Sequence, residues 1–327
     1  MDTGTHVVMG IALGGIATLD PVVSNNPAMT QAVMVSALLG SQAPDFDTIL
    51  KLKNNAVYIR NHRGVTHSIP FWFIWPTAIT ILLGLTMPNL NLFHLWMWTF
   101  LAVFLHVFVD IFNAYGTKFF SPIKDKWIAL GVINIFDPFI FISHIAGIIL
   151  WRYGADPGWT FLSIYVLLIG YYLWRIGARR GVYQQLKELH PDSTHIFISP
   201  TFNWYRWHVV VRTVEKMYVA QVKNGKVNYF ETYPFEPIPK DPIITAARED
   251  ANLNAFLSFS PAYRWQVSLE SHGYTVKFVD LRYRSKGHYP FIAIVRLDED
   301  KNILSSYTGW IYNNNTLQRK LEYLVET

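Results

Sequence analysis

Cysteine is absent from this 327-residue chain, which excludes disulfides and thiolate metal ligands, so any metal site must be built from imidazole and carboxylate. Glutamate is missing from the first 180 residues, which hold 11 Lys and Arg and 8 Asp, whereas the remaining 147 hold 17 basic and 15 acidic residues. Composition therefore divides the chain into an oily part, residues 1–180, and a part of ordinary soluble character, residues 181–327. Met1 to Val8 lacks the basic region and small-residue cleavage site of a secretory signal, so the N-terminus is expected to be retained. There is no phosphate-cradling glycine loop and no serine-nucleophile motif. Nucleic acid is a poor partner: 12 Trp, 18 Tyr and 22 Phe are present, but no basic tract accompanies them. Trp72, Trp75, Trp96, Trp98, Trp151 and Trp159 instead lie in or beside apolar runs, where interfacial anchoring accounts for many of them.

Those runs are long. Residues 68–87, 92–113 and 159–176 read as membrane helices, and 133–151 as a fourth, its helix starting at Pro138 with Asp137 as cap. Residues 5–19 and 28–42 are apolar but short, either a hairpin through the bilayer or helices buried beside it; a soluble helical pair resting on the membrane is the alternative. Gly10, Gly14, Gly15 and Ala17 suit close helix packing. Lys51, Lys53, Arg60 and Arg63, then Lys118, Lys124 and Lys126, then Arg175, Arg179, Arg180 and Lys187 mark three cytoplasmic connections. A multi-pass inner-membrane protein with both termini cytoplasmic is expected. Beyond Gly181 the pattern alternates as strands at 195–199, 207–214, 218–221, 227–233, 275–283, 291–297 and 303–310, with one helix at 245–256. The expected fold is a mainly α membrane helical bundle of four to six spans followed by an α+β, mostly antiparallel-sheet soluble domain.

Seven groups able to hold a metal fall in the first third: His6, Asp45, Asp47, His62, His67, His106 and Asp110. His106 and Asp110 stand four apart on a helix, hence on one face, where they either grip an ion or hydrogen-bond each other. Pro44-Asp45-Phe46-Asp47 follows a helix that Pro44 must stop; in an extended segment both carboxylates point the same way, toward a common ion or into solvent. In His62-Arg63-Gly64-Val65-Thr66-His67-Ser68 two imidazoles flank an Arg-Gly pair at the mouth of a membrane helix capped by Thr66 or Ser68. Arg63 offers a planar fork for a phosphate, or serves as a topology signal or lipid headgroup contact. Asp137 is read as a helix cap, with a supporting or ligating role as the alternative, and His94 is set apart on the outer face. His190, His195, His208, His272 and His288 lack metal spacing.

With these motifs in their order, the first ~180 residues resemble the YdjM-type family, described as membrane-bound metal-dependent hydrolases. That family is similar in turn to zinc-dependent phospholipases C and single-strand nucleases, whose pattern is matched by His6, Asp45, one of His62 or His67, and His106 with Asp110. The chain departs from it in lacking a second His-three-residues-Asp pair, so the resemblance implies one or two ions rather than three. It implies zinc, with manganese or iron also suited, held chiefly by Asp45, His67, His106 and Asp110. His6, Asp47 and His62 would hold a second ion or orient the first; Arg63 and Asp47 would serve catalysis. The expected activity is hydrolysis of a phosphoester of a lipid or lipid-linked substrate at the cytoplasmic membrane face. The alternative is a non-catalytic metal sensor or structural site, with the soluble domain docking a partner.

Overall fold

The computed structural model describes residues 1–271, 273–285 and 287–322; His272 lies outside the described residues. Helices α1 (Thr3–Ile16), α2 (Pro21–Ser24), α3 (Pro27–Gly40), α4 (Asn55–Asn61), α5 (Ile69–Thr86), α6 (Leu92–Asp110), α7 (Pro138–Arg152) and α8 (Pro157–Leu189) come first. Strands β1 (His195–Pro200), β2 (Arg206–Arg212), β3 (Lys216–Lys223) and β4 (Lys226–Pro234) follow, then α9 (Pro242–Ala247) and α10 (Ala251–Phe259). The chain ends with β5 (Tyr263–Glu270), β6 (Gly273–Asp280), β7 (Phe291–Leu297), β8 (Ile303–Trp310) and α11 (Asn314–Glu322).

It divides into two compact units. The first comprises Met1–Asp47, His62–Gly181 and Pro200–Trp204; the second comprises Thr48–Asn61, Val182–Ser199 and the chain from Tyr205.

In the first unit, helix starts are written in side chains that satisfy otherwise unpaired backbone N–H groups. Asp2 accepts from Thr5 N at 3.0 Å, Asn26 from Ala28 N at 3.0 Å, and Asp137 from Phe139 N at 3.0 Å, the last two followed by a proline in the first turn. Ser68 occupies the cap position of α5 but makes no side-chain capping bond. Among the described residues three helices, α5, α6 and α8, are long and apolar enough to cross a membrane; α7, with 15 residues, is shorter than the span read from residues 133–151. Ile74, Ile81, Leu82 and Leu85 of α5 are exposed, as lipid-facing side chains are. The Phe161 ring of α8 fills the space that a Cβ on Gly15 of α1 or Gly147 of α7 would need, so three helices approach through two glycines. At the start of α6, Asp20 pairs with His94 Nδ1 at 2.6 Å and accepts from Trp98 Nε1 at 3.1 Å.

The second unit holds two four-stranded antiparallel sheets, ordered β1-β2-β3-β4 and β5-β6-β7-β8. Inward residues of β6 and β7, such as Val276 opposite Val295 and Phe278 opposite Ala293, pack on Leu253 and Phe256 of α10. Helix α4 lies against α10 and β8, and Asn55 Nδ2 donates to Thr308 O at 3.1 Å.

Four readings change. Residues 43–52 form a 3₁₀ helix, not an extended segment, because Asp45 N bonds back to Gln42 O at 3.1 Å. The helix read at 245–256 is two, broken where Asp250 caps the second by accepting from Leu253 N at 2.9 Å. Helix α8 continues past Gly181 to Leu189. Strand β5 and helices α4 and α11 come in addition.

Candidate metal centre

Because α5 and α6 form a hairpin, the beginning of one and the end of the other share an end of the first unit. His67 precedes α5 there, His106 and Asp110 lie in the closing turns of α6, and the 3₁₀ helix after α3 supplies Asp45. His67 Nε2 is 3.6 Å from both Asp45 Oδ1 and Asp110 Oδ2. His106 Nε2 is 3.7 and 3.8 Å from the same two oxygens. All four atoms are buried, none has a hydrogen-bond partner, and the four residues form a group that could hold a metal ion.

The tautomers explain why those atoms do not bond each other. His106 Nδ1 lies 2.6 Å from Ser41 O, and a carbonyl only accepts, so the proton sits on Nδ1 and Nε2 carries a lone pair. Thr66 spends its hydroxyl proton on Asp47 Oδ2 at 2.8 Å; His67 Nδ1, at 3.2 Å, must then donate to Thr66, leaving Nε2 as an acceptor too. Two imidazole lone pairs thus face two carboxylate oxygens with no hydrogen between them, which is costly when buried and is relieved by a cation. Donors held at 2.0–2.2 Å around a tetrahedral ion stand roughly 3.3–3.6 Å apart, close to the spacing here. The donor set therefore fits a divalent metal. Burial, then His106, pushes the His67 pKa well below its ordinary value, so the ring is neutral and able to ligate. For Asp45, burial opposes ionisation but is outweighed by His106, His67 and Arg63, which hold the carboxyl below the usual range.

The remaining expected residues sit around this group. Asp47 has both oxygens engaged: Oδ1 with His62 Nδ1 at 2.7 Å, Oδ2 with Arg63 N at 2.9 Å and Thr66 Oγ1 at 2.8 Å. It orients the histidine segment. Asp45, Asp47 and His62 also form a second group close enough to share an ion. His6 lies outside both groups; its ring stacks on His106 at 3.7 Å, and its Nε2 is 3.0 Å from the Met1 amino nitrogen, which also contacts Asp110.

Arg63 is buried, with a left-handed backbone at φ 59°. That conformation costs an L-residue with a side chain, and it is held by Asp47 on the N–H and by Lys118 N at 3.0 Å and Thr117 Oγ1 at 2.9 Å on the carbonyl. Its Nη2 donates to Met1 O at 3.1 Å and lies 3.2 Å from Asp110 Oδ2, while Nε and Nη1 are buried without partners. Asp137 accepts from Tyr171 at 2.7 Å and His144 belongs to neither donor group. Ser41 and Thr66 escaped the reading as supports of the site; the hydroxyl beside His67 was the available signal for the second.

An apolar helical unit with an Asp and His group gathered at one end defines a membrane protein with a metal-type site. Residues 1–182 match the family model described as YdjM inner membrane protein, residues 191–233 the YfhP middle domain, and residues 242–321 the YfhP C-terminal alpha/beta plait domain. YfhP of Bacillus subtilis (strain 168) is 56% identical over 323 residues, covering 98% of this chain and 99% of that protein. The chain belongs to the YdjM inner membrane protein family, in the longer form that carries the YfhP domains. No solved structure matches it.

Proposed function

We propose that this protein is a metal-dependent hydrolase that cleaves a phosphoester of a lipid or lipid-linked substrate at the cytoplasmic membrane face. The observation that carries the reading is the convergence of four buried acceptors without a hydrogen bond, from Asp45, His67, His106 and Asp110, beside a guanidinium that is ion-paired with Asp110 and keeps two unspent donors. A divalent ion, with zinc the best suited to this donor set, would act as Lewis acid and acidify a water toward neutral pH. Arg63 Nε and Nη1 would take the developing charge on phosphoryl oxygens, while its Nη2 stays anchored on Met1 O. Asp47 would act through Thr66 and the Arg63 backbone, fixing the His67 tautomer and the guanidinium. His6, stacked on His106, would hold that ring in place, and His62 with Asp47 would offer a second ion position.

A structural or sensory metal site is the second reading, and one observation favours it: four protein donors are enough to close a tetrahedral sphere. The partnerless donors of Arg63 weigh for catalysis, since a closed site has no use for them. The test is metal content and phosphate release by the full-length protein and by a His106→Ala, Asp110→Ala double variant on a phospholipid panel. Loss of metal together with loss of hydrolysis is expected. Equal metal in both proteins ends the ligand assignment; metal-loaded wild type that cleaves no phosphoester transfers the site to the sensory reading.

A further inference from the structure

Helices α1, α6, α7 and α8 line a cavity of about 280 Å³ that is open along the exposed Ile169 and Leu173; its wall is made of apolar side chains such as Met9, Leu105, Val109 and Leu168, together with His144. Met9 and Leu105 also line the recess that holds His6 and His106, and Val109 directly precedes Asp110. Met9 and Leu105 thus stand between the cavity and the rings of His6 and His106.

His144 is buried, lies between α7 and α8 against the Tyr165 ring, and takes no part in the donor group. Its Nδ1 is 2.7 Å from Ile140 O, so the proton is on Nδ1; in the neutral imidazole Nε2 is an acceptor, and it has no partner. Water is a poor occupant, because an ordered water needs two to four polar partners and the wall is almost wholly hydrocarbon. An imidazole among apolar side chains of a membrane protein marks a functional position by default. The occupant that fits both facts is hydrocarbon carrying one hydrogen-bond donor, and at this volume a single chain.

We propose that the cavity receives one acyl chain of a hydroxyl-bearing lipid whose phosphate faces the Asp45–His67–His106–Asp110 group, with His144 Nε2 accepting from the lipid hydroxyl. The proposal rests on the phosphoesterase reading above and adds where the substrate tail goes. Leu168→Trp fills the cavity and Leu168→Ala enlarges it, without touching the donor group.

The test uses full-length protein in detergent with a monoacyl phospholipid bearing a free glycerol hydroxyl and a photoreactive group in its chain, and with the deoxy analogue of that lipid. Label is expected on peptides of α6, α7 and α8, about fivefold weaker in Leu168→Trp at unchanged metal content, and stronger for a longer chain in Leu168→Ala. The hydroxyl lipid should label better than the deoxy lipid in wild type and equally well in His144→Leu. Label spread over the exposed face of α5 and indifferent to Leu168 overturns the chain site, and absence of any hydroxyl preference in wild type overturns the role of His144. The His106→Ala, Asp110→Ala variant separates the two readings. Labelling that survives there while wild type cleaves no phosphoester sinks the hydrolase and leaves the chain site; cleavage without cavity labelling does the reverse.

Discussion

Thr66 decides which of the two His67 nitrogens carries the proton. Its proton goes to Asp47, so its oxygen takes the proton of His67, and the far nitrogen of that ring is left bare. Asp47→Asn keeps the size but offers an N–H₂ where an acceptor is needed by His62, or by Arg63 and Thr66. Metal affinity in that variant is expected to fall about 10–100-fold, measured by chelator competition, with full occupancy recovered at high metal. Unchanged affinity would remove Asp47 from the site. At this scale much was legible: His106 and Asp110 stand out because their spacing is helical and their setting apolar. His67 was read with His106 and His62 apart from them, and the two donor groups divide that way; the left-handed turn at Arg63 between them was not legible, since that residue type gives no advance sign of it. Asp45 and Asp47 were legible as a pair, but a 3₁₀ turn, rather than an extended segment, sends them to different partners.

Elements follow the same logic one level up. Gly147 is occupied on its open side by Phe161 and Ile164, so Gly147→Ala forces α7 and α8 apart; about 1–3 kcal/mol of destabilisation is expected, read as a lower thermal midpoint in detergent. Gly170→Ala is the control: nothing lies near its missing Cβ, and helix propensity predicts a gain of up to about 1 kcal/mol. Equal effects at both positions would refute the close-packing account. In the second unit, Glu231 of β4 accepts from the Tyr289 and Tyr233 hydroxyls and pairs with Arg284. Burial opposes its ionisation, but these three partners prevail and hold its pKa below the ordinary value. A depressed carboxyl stabilises the fold above its unfolded pKa and loses that contribution as pH falls through the folded value. The thermal midpoint of this unit should drop below about pH 4, and Glu231→Gln should flatten that drop; an unaltered profile would discount the pairing. The strands were readable where burial alternates clearly. Strand β5 was missed although Tyr263, Trp265, Val267 and Leu269 do alternate, because an edge strand with an exposed Leu269 looks like loop. Among its described side chains helix α11 buries Leu317 and Leu321, too little periodicity to announce itself.

For the molecule as a whole, the long apolar runs and the alternation beyond Gly181 foretold a helical part with apolar spans followed by a part built on antiparallel sheets. That Thr48–Asn61 groups with the second unit was not legible, since in sequence it lies between two stretches of the first, Met1–Asp47 and His62–Gly181. Helix α8 makes the two solvents measurable. Its 33 residues extend about 50 Å, against roughly 30 Å of hydrocarbon; Arg179, Arg180, Lys187 and Glu188 fall in the surplus, and Arg175, at the edge of the apolar stretch, donates to Val132 O and Trp204 O. A chain with no native thiol turns that helix into a depth gauge: cysteines placed singly from Val166 to Lys187 should resist a water-borne maleimide until about Gly177 and react readily beyond it. Uniform reactivity along the scale would mean that α8 never enters the bilayer.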